Sequence, residues 1–238
     1  MSQAAVAPRA PEHREDPPMP LTQHLDELRR RLMWGLGILC VGAGVAFYYS
    51  QPLLEWLSKP VGRLVFIAPA EAFHTRLKLS FYGGFLLTLP LLLHQVWLFI
   101  ARALPRQWRR RLLKMVPLSY LLFVSGVLIC LKLVIPQAMR FFLSYGTSNL
   151  QPFITLSAYL SFVTTLSLAF GAVFQFPLAL YALNWMGVLD KRSLAAQRRL
   201  AWFISFVVGA LFTPDIVGQC CLAGCSIVLF ELTLLAMR

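Results

Sequence analysis

The sequence predicts an all-α integral membrane protein with six transmembrane helices, and three observations support that fold class. Hydrophobic residues make up 58% of the 238 positions and charged residues 13%, whereas soluble domains average about 45–50% apolar and about 25% charged residues. Six apolar segments follow one another, and the first four are close to the roughly 20 residues that a helix needs to cross a bilayer. The lysines and arginines are concentrated in the connections between those segments.

The predicted spans form a six-helix membrane domain that covers residues 20–238. The last two spans are short, because the 38 residues between Arg199 and Arg238 are interrupted by the sequence TPD at 213–215. A hairpin of two helices fits that pattern, and its first helix needs a locally thinned bilayer or cover from its neighbours. The six spans are expected at about residues 32–50, 79–101, 115–135, 160–184, 200–213 and 216–236.

The distribution of basic residues predicts how the chain is oriented. Sixteen lysines and arginines lie in the N-terminal segment, in loops 102–114 and 185–199 and at Arg238, against six in the other connections. Because cytoplasmic loops are enriched in basic residues, both termini are expected in the cytoplasm. Residues 1–19 contain four prolines and mixed charge and are expected to form a disordered cytoplasmic tail. The basic residues form no continuous face, so the net charge of +12 indicates a membrane surface as partner and no nucleic acid.

Prolines interrupt several predicted spans, and each removes a backbone hydrogen-bond donor. Kinked helices give a bundle a curved wall, which suits a surface that grips other helices, but simple packing kinks explain the prolines equally well. The positions are Pro90, Pro117, Pro177 and Pro214. In the outer loop 136–159, a short amphipathic helix is expected to begin at Pro136 and to end at Gly146.

A charged segment, HLDELRRRL at residues 24–32, comes directly before the first span. Its leucines recur at helical spacing, so it is expected to form an interfacial helix that feeds into the span. One explanation of its polar face is intrahelical pairing, in which Asp26 faces Arg30. Glu27 then faces Arg31 in the same favourable order, and each such pair is worth a few tenths of a kcal/mol. The other explanation is that one carboxylate binds a cation of a partner, and arginine suits this because its planar fork offers two hydrogen bonds.

Four further polar residues are candidates for contacts within or beside the membrane. Polar and ionisable groups inside spans are costly and usually face protein or water. Gln175 is expected to hydrogen-bond a neighbouring helix, and Asp215 follows the break in the last hairpin. Glu231 lies seven residues from the C-terminus and is expected to snorkel or to bond across helices. Glu71 is expected to place a negative charge at the N-terminus of the second helix.

Enzyme and cofactor signatures are missing from the sequence. It contains no HExxH, GxSxG or P-loop motif, and its four histidines have no evident ligand partners. Five cysteines lie in apolar stretches and are expected to be small buried thiols, with a metal site as the lesser alternative. We therefore expect no enzyme activity, no cofactor and no metal.

Six motifs, in order along residues 20–236, resemble the TatC family, the integral-membrane receptor subunits of the twin-arginine protein translocase. They are HLDELRRRL before the first span, PAEAF before the second, HQVWLFIARAL at its end, FGAVFQFP in the fourth, FTPD after the fifth and LFEL in the sixth. The resemblance implies a cup-shaped bundle in the bacterial inner membrane that binds signal peptides bearing two adjacent arginines, on proteins that are already folded. It also implies assembly with single-span partners of the TatA and TatB type into an oligomer of heteromeric units, with transport driven by the proton-motive force.

The resemblance also implies roles for particular residues. The family's signal-binding glutamate corresponds to Glu27, and Asp26 and Arg30 accompany it on the same charged segment. The polar residue of the fourth span corresponds to Gln175, and the acidic residue after the fifth span to Asp215.

The chain departs from the family pattern in its first cytoplasmic loop. Where relatives usually carry a proline after FIA and a glutamate a few residues later, this chain has Arg102 and, by direct alignment, Trp108. Trp108 is expected to bind the signal peptide together with Glu27, Asp26 and Arg30. Loop 102–114 contains six basic residues and no acidic one, so a second carboxylate for an arginine pair is missing there. Three functions therefore stay open: a translocase receptor and scaffold, a TatC-like assembly subunit with altered signal recognition, and a six-span transporter of small molecules or ions.

Overall fold

The computed structural model describes residues 21–61, 64–102, 112–146, 153–213 and 215–237, and nearly all of them are helical. The predicted tail at residues 1–19 lies outside this part of the chain. The helices are α1 (Leu21–Tyr48), α2 (Ser50–Ser58), α3 (Pro69–Arg102), α4 (Val116–Ile129), a π-helical turn (Cys130–Val134), α5 (Ile135–Leu143), α6 (Leu156–Val173), α7 (Phe176–Trp185), α8 (Lys191–Ala196), α9 (Arg198–Phe212) and α10 (Ile216–Ala236).

The predicted fold class, an all-α integral membrane protein, is confirmed. Among the described residues, five helical stretches are long and apolar enough to cross a membrane: Leu25–Tyr48, Pro69–Arg102, Val116–Leu143, Leu156–Trp185 and Ile216–Ala236. Helix α9 has 15 residues and a length of about 22 Å at 1.5 Å per residue, which is less than the roughly 30 Å of the hydrocarbon core. The count of six spans and the cytoplasmic position of both termini stay predictions.

Helix α6 forms much of the core, where it packs against α3, α4, α9 and α10. Its side chains Leu160, Val163 and Phe170 are at most 1% exposed. A polar pair lies within this core: the hydroxyls of Tyr82 and Ser167 are 2.9 Å apart. Because lipid tails are as apolar as leucine, such packing and hydrogen bonding hold membrane helices together.

Helices α1 and α3 approach each other closely through small residues. A Cβ atom at Gly84 of α3 would lie 2.6 Å from Ala43 Cα and against the Ala43 backbone nitrogen. A Cβ atom at Gly42 of α1 would lie 3.0 Å from the Gly84 carbonyl oxygen and against the Thr88 methyl group. Glycine at both positions lets the two backbones touch, as small residues do in membrane helix pairs. This close approach fixes how the two helices are aligned along their length.

Three of the four prolines can be compared with the structure, since Pro214 lies outside the described residues. Pro90 lies inside the continuous helix α3. Pro177 occupies the first turn of α7, so the predicted span 160–184 is divided into α6 and α7 by a break at Phe174 and Gln175. Pro117 likewise lies in the first turn of α4. A proline in the first turn of a helix loses no helical hydrogen bond. Pro117 and Pro177 therefore mark the starts of their helices.

The outer loops are partly helical, as predicted. Helix α5 begins beside Pro136 and ends at Leu143, and the chain turns at Gly146. Val65 pairs with Thr155 in a short bridge between the first and second outer loops.

The prediction that all five thiols are buried is met only by Cys130, since Cys221 and Cys225 are half-buried and the other two are exposed. Cys40 and Cys220 are exposed, whereas Cys130 is fully buried. Each exposed thiol lies on a helix face that the bundle leaves free, where lipid is the expected solvent. Cysteine is apolar enough for that environment, so the hydrophobic sequence around it did not distinguish core from lipid face.

Candidate functional site

The carboxylate of Glu27 is the centre of a charged cluster between α1 and α3. Arg31, one turn further along α1, donates from Nε and Nη2 to Glu27 Oε1 at 2.8 and 2.7 Å. The predicted pairing of Glu27 with Arg31 is therefore confirmed. The pair is well shielded, since both side chains are 11% exposed.

A second guanidinium reaches the same oxygen from the end of α3. Arg102 Nη1 lies 2.7 Å from Glu27 Oε1. Arg31 in turn donates from Nη1 to Gln95 Oε1 on α3 at 2.8 Å. Because α1 and α3 are held in register by their glycine contact, the cluster forms where the two helices end on the predicted cytoplasmic side.

The charges of this cluster do not balance. One carboxylate faces two guanidinium groups, and among the described residues all of its contacts fall on Oε1. Hydrogen bonds between ionised groups are the strong ones in proteins, and a partly buried carboxylate needs them because its desolvation is costly. The arrangement therefore presents the Glu27 carboxylate to cations.

Asp26 and Arg30 lie apart from this cluster on the outer face of α1. They line a shallow, open depression of about 420 Å³ together with Arg29, Met33 and Trp34. Both side chains are exposed, and no ion pair between them is present in the described part of the chain. Asp26 and Glu27 thus lie on different faces of α1, as a helical rotation of about 100° per residue requires. Trp108, the other predicted signal-binding residue, lies outside the described residues.

Gln175 joins two helices deep in the bundle. It lies at the break before α7, and its Nε2 donates to the Ser119 carbonyl oxygen of α4 at 3.0 Å. The Ser119 hydroxyl also donates to Gln175 Oε1. Both ends of the amide are thus used by one neighbour, which is the interhelical bonding that the sequence predicts.

Asp215 caps helix α10 from within the last hairpin. Its Oδ2 accepts a hydrogen bond from the Gly218 backbone nitrogen at 2.5 Å, as an N-cap aspartate commonly does. The residue is 9% exposed, and its Oδ1 has no hydrogen-bond partner among the described residues. Its neighbour Pro214, predicted as structural, lies outside those residues.

Glu231 bonds across helices, as one of its two predicted fates. Its Oε2 lies 3.5 Å from Arg198 Nη2 at the start of α9. The pair joins α9 to α10 near the predicted cytoplasmic side. At that length and exposure, an ion pair contributes little to stability.

Glu71 connects the outer ends of two helices. It lies in the first turn of α3, where a negative charge is favourable, and its Oε2 accepts from the Ile67 backbone nitrogen at 2.9 Å. Its Oε1 accepts from the Ser157 backbone nitrogen at 3.0 Å, in the first turn of α6. One carboxylate thereby satisfies backbone donors of two segments that are far apart in sequence.

The sequence did not identify Gln95, and it identified Arg102 as a departure from the family but not as a partner of Glu27. Both residues lie on α3, and their separation of two helical turns places them on one face. That spacing was a usable signal. Their contact with Glu27 depends on the alignment of α1 with α3, which the glycine contact sets and which the sequence pattern alone does not give.

Comparisons with known proteins agree with this fold. The family model described as "Sec-independent protein translocase protein (TatC)" matches residues 23–224. The TatC protein of Aquifex aeolicus (strain VF5) is 35% identical over 224 residues, which cover 91% of this chain and 93% of that protein. TatC of Escherichia coli (strain K12) is 34% identical over 221 residues, or 90% of this chain and 86% of that protein.

A solved structure gives the same result in three dimensions. The crystal structure described as the twin arginine translocase receptor TatC in DDM superposes with a TM-score of 0.81 at 33% identity, and the match covers 90% of this chain and 99% of that one. The family-model match at residues 23–224 includes Glu27 and its three partners, Arg31, Gln95 and Arg102. The chain therefore belongs to the TatC family of Sec-independent protein translocase proteins.

Proposed function

We propose that this chain is the receptor and core scaffold of a twin-arginine translocase in the bacterial inner membrane. Family membership supports a translocase component and a transport protein, not an enzyme and not a small-molecule transporter. The observation that carries the receptor role is the Glu27 carboxylate, which lies at the predicted cytoplasmic boundary and already binds guanidinium groups. Its ligand is the pair of adjacent arginines in the signal peptide of a folded cargo protein.

The chemistry of the Glu27 cluster favours arginine over lysine. A guanidinium offers several N–H donors in a fixed plane and matches a carboxylate through two hydrogen bonds, whereas an ammonium acts as a point charge. The contacts of Arg31 and Arg102 place guanidinium nitrogens 2.7 Å from Glu27 Oε1, so there is room for such groups beside this oxygen. Asp26 and Arg30, one step around α1, extend the charged surface along which the second cargo arginine lies. Trp108 is proposed to contribute from loop 102–114.

The same chain is proposed to assemble with single-span proteins of the TatA and TatB type, in an oligomer of heteromeric units. Large apolar side chains are exposed along several helices, and those of α9 include Phe203 at 66% and Leu211 at 79% exposure. Lipids and partner helices both suit such faces. Gln175, Asp215 and Glu231 are proposed as the polar residues at which partner helices or a proton-driven rearrangement engage the bundle. Pro90, Pro177 and Pro214 are proposed to shape its wall.

Replacement of Glu27 tests the receptor role. In Glu27→Gln the shape is kept and the charge removed, so crosslinking of a twin-arginine signal peptide to the chain is expected to fall by at least tenfold, because hydrogen bonds to charged groups contribute about 1.5–3 kcal/mol each. Glu55→Gln is the matched control, since Glu55 is an exposed glutamate on α2 on the opposite side of the predicted membrane. Crosslinking that is equal in the two variants would remove Glu27 from the role.

A second candidate function is an assembly subunit that has altered signal recognition. Arg102, where relatives usually have proline, binds the carboxylate that should receive cargo, and loop 102–114 has no acidic residue. Export of a twin-arginine reporter in cells depleted of their own subunit separates the two functions. A receptor restores export, whereas an assembly subunit recruits the single-span partners without restoring it.

A further inference from the structure

Two guanidinium groups share Glu27, and they are held very differently. Arg31 is fixed on α1 by two contacts with Glu27 and by a third with Gln95, and its side chain is 11% exposed. Among the described residues, Arg102 makes a single side-chain contact, from Nη1, and its side chain is 41% exposed. Arg31 is therefore a fixed part of the site, and Arg102 is a partner that solvent or another cation can replace.

The Arg102 contact has the chemistry of the proposed ligand. Its nitrogen lies 2.7 Å from Glu27 Oε1, the distance of a charge-assisted hydrogen bond. A cargo arginine that approached this oxygen would find its place taken by the same chemical group. The exchange replaces one guanidinium with another and leaves the number of hydrogen bonds on Glu27 unchanged.

We propose that Arg102 is a built-in competitor that occupies Glu27 until a signal peptide displaces it. This inference rests on the proposed function, because it takes Glu27 as the residue that receives the cargo arginine. Arg102 keeps the carboxylate paired in the empty receptor, so a single passing cation gains little by binding. A signal peptide with two arginines and further contacts supplies the additional binding energy that displaces it.

A competitor of this kind has a definite thermodynamic signature. When only a fraction of the receptor has a free binding site, the apparent affinity of every ligand that needs the site is reduced by that same fraction. Removal of Arg102 therefore tightens the binding of twin-arginine and arginine–lysine peptides by the same factor. A residue that contacted the peptide directly would instead change the ratio between them.

The test uses the full chain in lipid nanodiscs and a fluorescent twin-arginine signal peptide, with binding followed by anisotropy. Arg102→Gln is expected to bind about two- to fivefold more tightly than the unaltered chain, as displacement of a half-exposed ion pair implies. Arg102→Lys keeps the charge without the planar fork and is expected to fall between the two. An arginine–lysine version of the peptide is expected to gain by the same factor as the twin-arginine peptide.

Two controls separate this effect from general electrostatics and from the proposed function. Arg29→Gln removes one charge from an exposed position on α1 that lacks contact with Glu27 among the described residues. A gain for Arg102→Gln that exceeds the gain for Arg29→Gln, and that disappears in the Glu27→Gln background, supports the competitor. Unchanged or weaker binding of Arg102→Gln overturns it while leaving Glu27 as receptor residue. If Glu27→Gln alone binds as the unaltered chain does, the proposed function itself fails and the competitor with it.

Discussion

Glu27 and Gln175 both join helices through hydrogen bonds, but only one of them has charge to offer a ligand. Gln175 uses both ends of its amide on Ser119, and Ser119 is fully buried. Glu27 instead contacts two guanidinium groups through Oε1, and one of them, that of Arg102, is 41% exposed. At this scale, Gln175 is a brace within the bundle and Glu27 is a binding residue.

Replacement of Gln175 by leucine tests the brace. The substitution leaves the Ser119 hydroxyl and carbonyl without their partner, and it is expected to lower stability by about 0.6–1.7 kcal/mol, the range for hydrogen bonds between membrane helices. Thermal unfolding in detergent provides the measurement. Gln137→Leu, at an exposed position on α5, is the control and is expected to change little. If the Gln175→Leu variant unfolds at the same temperature as the unaltered chain, Gln175 does not brace the bundle.

The glycine contact between α1 and α3 aligns the two helices that carry the Glu27 cluster. Arg31, Gln95 and Arg102 meet only if the two helices keep their alignment, and that alignment depends on the close approach at Gly42 and Gly84. The Glu27 cluster lies near one end of this helix pair, and the glycine contact lies near the middle of α3. We therefore expect a change in packing at the middle to disturb binding at the end.

Gly84→Ala tests this coupling. Its added Cβ meets the Ala43 backbone, which cannot rotate away, and overpacking of this kind costs about 1–3 kcal/mol. We expect a lower unfolding temperature and weaker binding of the signal peptide, although Gly84 touches no part of the cluster. Gly37→Ala is the matched control, because a Cβ there meets nothing within 4 Å. Normal binding by a destabilised Gly84→Ala chain argues that cluster geometry is independent of the crossing.

At the scale of the whole molecule, the sequence predicted the class of fold, the break after TPD and the pairing of Glu27 with Arg31. These features are local: hydropathy, turn residues and a spacing of four residues each act within a few turns of helix. Contacts between helices were harder to predict. The position of Arg102 beside Glu27 depends on 74 residues of intervening chain and on the glycine contact, and no periodic pattern in the sequence indicates it.

Exposure was also difficult to predict from sequence, as Cys40 and Cys220 illustrate. In a soluble protein an apolar neighbourhood indicates the core, but in a bilayer the core and the lipid face are equally apolar. The division of the span 160–184 into α6 and α7 has a visible cause in Pro177, yet the same residue type leaves α3 continuous at Pro90. Packing, not the proline alone, decides whether a helix bends or ends.

Recognition of paired cargo arginines by Glu27 is tested directly by a double-mutant cycle between receptor and cargo. Affinities are measured for a twin-arginine peptide and its twin-lysine version, each with the unaltered chain and with Glu27→Gln. Because coupled partners give non-additive changes, the change to lysine is expected to weaken binding by about tenfold or more to the unaltered chain and by less than about twofold to Glu27→Gln. An equal loss of affinity with both receptors would show that the cargo arginines bind elsewhere on the chain and that Glu27 does not recognise them.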